Sequence, residues 1–193
     1  FDTEAKTLSR LLACMPWIDP ARMAESSAVR FKARDGTPLQ AYLTLPPGRG
    51  GKNLPLVALV HGGPHTRDVW GYDPDVQFLA NRGYAVLQVN YRGSVGFGDA
   101  FQKMGRRNVG GSVQHDITDG VRWAIQQGIA DGRRVGIMGG SFGGYSALMG
   151  LALEPDLYRC GISIAGVTDW IELIKDKAEM FPRSFGFNVT LVG

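Results

Sequence analysis

The chain has 193 residues, of which 44% are hydrophobic, and it carries a net charge of +3. This length and composition are typical of one globular domain with its own core, and the scattered positive charge argues against a nucleic-acid-binding surface. No apolar run approaches the ~20 residues that a membrane helix requires, so we predict no membrane-spanning segment. The two cysteines, Cys14 and Cys160, lack metal or redox spacing. We therefore predict no metal or cofactor, and we expect Cys160 to be a small core residue.

The first part of the chain differs in pattern from the rest. Residues 1–12 are typical of the tail of a strand-rich unit, and the proline-bounded residues 16–20 are typical of a linker. We predict that residues 1–27 are a linker and the end of a preceding domain. Two runs of alternating apolar and polar residues follow, separated by Asp35 and Gly36. They predict a β-hairpin with one solvated face, with apolar positions at Val29, Phe31, Ala33, Leu39, Ala41, Leu43 and Leu45.

Beyond Pro47 the pattern changes to short, almost continuously apolar runs with helical segments between them. The runs predict strands of a parallel sheet that are buried on both faces, at residues 56–60, 85–87, 135–138 and 160–164. Three helices are predicted: one around Val76 and Ala80 that Gly83 ends, one with Asp116 as its N-cap and Gly128 just past its end, and one from Ser141 to Pro155. Alternating strands and helices after an antiparallel hairpin predict an α/β fold with a mostly parallel sheet.

The third helix begins with the most informative stretch of the chain, residues 139–144, whose sequence is Gly-Gly-Ser-Phe-Gly-Gly. Gly-x-Ser-x-Gly between a strand and a helix is the nucleophile elbow of α/β-hydrolases. The backbone must turn sharply there, and a Cβ at either flanking glycine would crowd the turn. Ser141 is therefore predicted as a catalytic nucleophile. The alternative is a serine that caps a helix in a glycine-rich turn.

A second motif, His61-Gly62-Gly63-Pro64, follows the predicted strand at residues 56–60. In α/β-hydrolases the second oxyanion donor lies at this position. We predict that the N–H groups of Gly63 and Phe142 bind the oxyanion, and that His61 braces the loop by hydrogen bonding. The alternative is an ordinary tight turn before a helix.

A third motif, residues 91–98, follows the next predicted strand and lacks the pattern of a phosphate-binding loop. Together, the His-Gly-Gly-Pro motif, Asn-Tyr-Arg-Gly-Ser at residues 90–94 and Gly-Gly-Ser-Phe-Gly-Gly-Tyr at residues 139–145 resemble the catalytic domain of the prolyl oligopeptidase family. The likeness is greatest to its acylaminoacyl-peptidase and dipeptidyl-peptidase branches, and it extends from Val29 to Gly193. It implies that residues 28–193 are part of an α/β-hydrolase domain, incomplete at its C-terminal end. It also implies that a β-propeller precedes this domain, with residues 1–8 resembling its last strand.

The resemblance also implies a specificity pocket. Val167 and Trp170 match positions that wall a small apolar pocket in relatives, which suits proline, alanine or larger hydrophobic residues. The alternative is that both are simple core residues beneath a helix. Several relatives place aromatic residues just after this tryptophan, whereas Leu173 stands there in this chain.

A serine needs a base, and no histidine follows Ser141. The three histidines, His61, His65 and His115, all precede it, which is the wrong chain order for this fold. We therefore expect the Asp and His of the triad to lie beyond residue 193. The leading hypothesis is a serine peptidase that hydrolyses short peptides through an acyl-enzyme, while these 193 residues alone are inactive.

Two alternatives stay open. The same elbow serves a carboxylesterase, and an inactive fragment could act only by association through an open sheet edge, including as a homo-oligomer. The sequence does not indicate the compartment, because cytoplasmic, periplasmic and secreted proteins all fit.

Overall fold

The fold is seen in a computed structural model, which describes residues 1–9, 12 and 15–180. Six strands form one sheet in the order β1-β2-β4-β3-β5-β6. Antiparallel pairing joins β1 to β2 and β2 to β4, whereas β3, β4, β5 and β6 run parallel. The predicted hairpin and parallel sheet are therefore confirmed. The strands are Ser26–Lys32 (β1), Pro38–Thr44 (β2), Leu54–Val60 (β3), Ala85–Asn90 (β4), Ala130–Gly140 (β5) and Cys160–Ile164 (β6).

Within the described residues, five α-helices connect or follow these strands: Pro74–Asn81 (α1), Asp99–Met104 (α2), Ser112–Gln126 (α3), Phe142–Leu153 (α4) and Trp170–Met180 (α5). The Asp73 side chain caps α1 by accepting hydrogen bonds from two amides of the first turn, and Gly83 follows the helix at φ 92°. These two residues explain where α1 begins and ends.

The predicted start of α3 is wrong. The helix begins at Ser112 with Gly111 before it, so Asp116 lies inside the helix and is fully buried. It is retained there because Arg92, which follows β4, binds it through side-chain bonds of 2.7 and 2.9 Å and a backbone N–H bond of 2.8 Å. The same guanidinium donates to Asp35 in the hairpin turn at 2.7 Å and holds the pKa of that carboxyl well below its usual range. Arg92 therefore ties the hairpin, the sheet and α3 together.

The core follows the predicted pattern at the centre of the sheet and departs from it at one edge. All six residues of β4 are buried, and so are Ile117 and Val121 on the face of α3 that packs on the sheet. At the edge strand β6, Ile162 is 53% exposed and Cys160 is exposed as well. The expectation that Cys160 belongs to the core is wrong, because among the described residues β6 is the last strand of the sheet and pairs with β5 alone.

The described part of residues 1–25 contains an isolated bridge between Asp2 and Thr7 and a short 3₁₀ turn at Pro20–Arg22. The proposed division at residues 27 and 28 stays a prediction. Among the described residues, no helix has the length and apolarity needed to cross a membrane.

Candidate active site

Ser141 lies between the last residue of β5 and the first residue of α4, and its backbone adopts φ 55° and ψ −118°. A residue with a Cβ rarely adopts this conformation, so the surrounding contacts must enforce it. The Ser141 N–H donates to the carbonyl of Ile164 at 2.9 Å, and its carbonyl accepts from the Tyr145 N–H at 3.1 Å. The side chain is exposed at the end of the sheet. A strained, exposed serine at a strand-to-helix turn is the arrangement that the sequence predicted.

This turn requires glycine on both sides of Ser141, because main-chain atoms fill the space that a side chain would occupy. A Cβ on Gly139 would lie 2.5 Å from the carbonyl carbon of Gly143. A Cβ on Gly143 would overlap the carbonyl oxygen of Val60 at the end of β3. The steric reason given for the two flanking glycines of the motif is therefore confirmed. Gly140, in contrast, has no neighbour closer than 3.8 Å to its added Cβ.

The loop after β3 lies directly against the elbow. A Cβ on Gly62 would lie 3.3 Å from the Gly140 carbonyl oxygen and 3.7 Å from the Ser141 Cβ. The next residue, Gly63, is exposed and has φ 116°. The structure thus brings the His-Gly-Gly-Pro loop beside the serine, as the sequence predicted.

Phe142, the other predicted oxyanion residue, is the first residue of α4. Its ring is 1% exposed and packs against Tyr91 and Tyr145, with ring centroids 5.7 and 5.6 Å away. Its backbone N–H belongs to the first turn of the helix, where amides have no partner within the helix. The buried ring therefore anchors an amide that follows Ser141 directly.

His61 is a structural member of its loop. Its ring stacks on Tyr91 at a centroid distance of 4.2 Å, and its Nε2 lies 3.0 Å from the Ser94 hydroxyl. Nδ1 lies 2.8 Å from the carbonyl oxygen of Gly62. Burial lowers the pKa of His61 to about 4, so the ring is neutral at neutral pH. These contacts agree with the predicted bracing role.

The other two histidines occupy separate places. His65 Nδ1 lies 3.1 Å from the carbonyl oxygen of Gly93, and His115 lies in the first turns of α3. Within the described ranges no hydrogen bond joins a histidine to Ser141. In the same ranges no group of three or more His, Cys, Asp and Glu residues is placed to hold a metal ion.

The two predicted pocket residues lie in different surroundings. Trp170, at the start of α5, packs edge-on against Tyr145 with ring centroids 5.2 Å apart, and its ring lies 6.2 Å from that of Phe142. Val167 is half-buried and lines an open depression together with the acidic residues Asp169 and Glu172. Trp170 is not among the residues that line this depression. The structure therefore brings Trp170 toward the elbow, and it does not bring the two residues into one described pocket.

Sequence reasoning missed the polar contacts that hold the carbonyls of His61 and Gly62. The Thr66 hydroxyl donates to this oxygen at 2.6 Å, and the Tyr91 hydroxyl donates to the carbonyl of His61 at 3.0 Å. Tyr91 belongs to the third motif, residues 91–98, of which the sequence shows only that it lacks the pattern of a phosphate-binding loop. Its place at the end of β4, the strand that pairs with β3, was the signal that could have connected it with the loop.

Comparison with known proteins gives a consistent result. The family model described as the prolyl oligopeptidase family matches residues 70–188. The chain is 43% identical over 173 residues to dipeptidyl aminopeptidase BIII of Pseudoxanthomonas mexicana, which covers 86% of the chain and 25% of that protein. It is 40% identical to dipeptidyl peptidase family member 6 of Caenorhabditis elegans, over 84% of the chain and 24% of that protein.

Solved structures give the same picture. A puromycin-hydrolyzing peptidase of Mycobacterium tuberculosis matches with a TM-score of 0.84 and 30% identity, over 97% of this chain and 29% of that one. An acylaminoacyl peptidase of Pyrococcus horikoshii matches with a TM-score of 0.76 and 28% identity, over 89% of this chain and 27% of that one. The fold is that of α/β-hydrolase peptidases, and the chain spans about a quarter of the length of these curated relatives.

Proposed function

Because this chain belongs to the prolyl oligopeptidase family, we propose that it forms part of a serine peptidase that hydrolyses short peptides with Ser141 as nucleophile. The observation that carries the proposal is the backbone of Ser141. A non-glycine residue at φ 55° and ψ −118°, exposed between β5 and α4, holds its hydroxyl outside both elements. Relatives named as peptidases support the class of reaction.

In the proposed reaction the Ser141 Oγ attacks the carbonyl carbon of the peptide bond while a base accepts its proton. The carbonyl oxygen becomes an oxyanion, and the N–H groups of Gly63 and Phe142 donate hydrogen bonds to it. The C–N bond then breaks, the amine leaves with the proton returned by the base, and an ester to Ser141 is left. Water, deprotonated by the same base, hydrolyses this acyl-enzyme and restores the hydroxyl.

We place the base and its acidic partner among residues that follow Gly193. Support comes from His61, whose ring nitrogens face Gly62 and Ser94 and whose low pKa makes it a poor proton acceptor. Support also comes from chain order, because in this fold the acid and the histidine follow the nucleophile. The tests below therefore use the full-length protein that contains these 193 residues.

We further propose that Trp170 and Val167 border the site that holds the substrate residue before the cleaved bond. The contact of Trp170 with Phe142 and Tyr145 supports its part, since Phe142 adjoins the nucleophile. Support for Val167 is weaker, because its depression also contains carboxylates. An apolar substrate residue would contact the indole, so Trp170→Ala should raise KM for substrates with proline or alanine at that position.

Labelling with a fluorophosphonate tests the nucleophile. The full-length protein should be labelled on Ser141, and Ser141→Ala should lose labelling and lose on the order of 10⁶ in kcat. Ser27→Ala, at an exposed serine of β1, is the control and should keep both labelling and activity. Peptidase activity that survives Ser141→Ala would overturn the proposal.

The carboxylesterase alternative is separated by substrate. Aminoacyl anilides and p-nitrophenyl esters that carry the same acyl group should both be cleaved by a peptidase, whereas an esterase should cleave only the esters. Negligible turnover of the anilides by the full-length protein would favour the esterase.

A second candidate function, self-association of the 193-residue chain, is favoured by one observation. In the described part of the chain β6 is an edge strand that exposes Ile162 and Ile164 at 53% and 50%, and an edge strand can pair with a strand of another chain. Light scattering of the isolated chain should then show a dimer or larger species that Ile162→Lys reduces to a monomer.

A further inference from the structure

The carbonyl oxygen of Gly62 is held by two side chains at once. The Thr66 hydroxyl donates to it at 2.6 Å, and His61 Nδ1 lies 2.8 Å from it, a donating distance when the proton of the neutral ring is on Nδ1. Thr66 Oγ and His61 Nδ1 are themselves 3.1 Å apart. The Gly62 carbonyl therefore faces the side of the loop on which Thr66 and the imidazole lie.

This orientation fixes a second group, because the Gly62 carbonyl and the Gly63 N–H belong to the same peptide plane. In a trans peptide these two groups point in opposite directions. A carbonyl bound to Thr66 and His61 thus leaves the Gly63 N–H on the other side of the loop, away from both side chains. A glycine pair has little intrinsic preference for one direction of this plane, so the side chains must supply it.

A second layer of contacts holds the imidazole. Tyr91 is fully buried and stacks on the ring. Its hydroxyl donates a hydrogen bond to the His61 carbonyl at 3.0 Å. With the ring proton on Nδ1, His61 Nε2 is an acceptor and lies 3.0 Å from the Ser94 hydroxyl, which can donate to it. Thr66 is itself fastened, because its carbonyl accepts from the Val95 N–H at 3.1 Å.

From this geometry we propose that Thr66 is a positioning residue, which aims the Gly63 N–H at the oxyanion by holding the Gly62 carbonyl in the opposite direction. The inference rests on the proposed function. Thr66 is exposed and lies outside the motif that identified the loop. Its hydroxyl acts on the reaction only through the Gly62–Gly63 peptide, so its loss should weaken transition-state binding and leave substrate binding unchanged.

The test compares Thr66→Val with Thr66→Ser in the full-length protein. Valine keeps the shape of threonine and removes the donor, and we expect kcat to fall about 10-fold, less than the 10²–10³ for deleting an oxyanion donor outright. KM and the melting temperature should not change, since the side chain is at the surface. Serine keeps the hydroxyl and should retain at least about half of the wild-type kcat, because the donor is still present.

The inhibition constant of a peptide aldehyde distinguishes a positioning role of Thr66 from a purely structural one. The adduct of the aldehyde with the serine carries an oxyanion, so the inhibition constant should rise in Thr66→Val by the same factor as kcat falls. Tyr91→Phe, which keeps the stacked ring and removes the donor to the His61 carbonyl, should shift both quantities in the same direction by a smaller factor.

Two outcomes overturn the inference: a Thr66→Val enzyme with kcat within twofold of wild type, or an equal loss in Thr66→Ser. Both leave the proposed function intact provided that Ser141→Ala is inactive. If Ser141→Ala keeps its activity, the proposed function fails instead, so the two failures are distinguishable.

Discussion

The elbow around Ser141 and the loop that carries Gly63 lie against each other, yet different kinds of contact hold them. At the elbow, main-chain atoms of β3, β5 and α4 meet where Gly139 and Gly143 have no side chains. In the loop, the side chains of His61, Thr66 and Tyr91 hold the main chain by hydrogen bonds. At the elbow there is no room for a side chain on Gly139 or Gly143. The loop depends on individual donors, which can be removed one at a time at moderate cost.

The largest expected loss of stability comes from adding one methyl group at the elbow. Gly143→Ala should destabilise the protein by more than about 4 kcal/mol, beyond the range of most single substitutions, because the added Cβ overlaps the Val60 carbonyl. Gly140→Ala is the matched control and should change the free energy of unfolding by less than about 1 kcal/mol. Urea denaturation measures both. Similar values for the two variants would show that close packing does not shape the elbow.

Beneath the loop, a buried ion pair should give the next largest effect. Asp116→Ala leaves the Arg92 guanidinium buried without its main partner, and we expect a loss of about 3 kcal/mol. Asp99→Ala breaks an exposed pair with Lys103 and should cost less than about 1 kcal/mol. A loss in Asp116→Ala no larger than in this control would contradict the role assigned to Arg92 as the tie between sheet, hairpin and α3.

A smaller effect should come from pH at the far end of the loop. The Asp68 N–H donates to the Asn90 side chain, and its carboxyl accepts from Gln88 at 3.1 Å. Burial raises the pKa of Asp68 to about 7, well above the usual range of an aspartate. The unfolded chain therefore releases this proton first, so stability falls as pH rises from about 4 to about 7.

Asp68→Asn keeps the bond to Gln88 and removes the titration. Its stability relative to wild type should grow from pH 4 to pH 7, by at most about 1.4 kcal/mol for each pH unit, and level off above that. Asp99→Asn, at an exposed carboxyl, is the control and should show no such trend. A constant difference between Asp68→Asn and wild type across this range would show that the carboxyl is ionised in the folded protein.

The same contrast explains which features could be predicted from the sequence. The elbow was predictable because its glycine spacing and the strand and helix patterns beside it are local. The hairpin was predictable because alternating apolar and polar residues indicate a half-buried sheet. Asp116 was misplaced because a charged residue before an apolar helix face resembles an N-cap, and its partner Arg92 is 24 residues away. Cys160 was misassigned because an apolar strand has the same pattern at a sheet edge as at its centre. Thr66 carries no pattern at all, since its role depends on one hydrogen bond.

Next to Ser141, Gly143 contacts Val60 and Gly144 approaches Gly166, so main chain from the end of β3, the first turn of α4 and the segment after β6 meets at one place. The side chains of Val167 and Thr168 are not among the atoms closest to these glycines. Substitutions at Val167 or Thr168 are therefore expected to leave Ser141 in place, so the substrate contact proposed for Val167 could change over evolutionary time while the elbow stays the same.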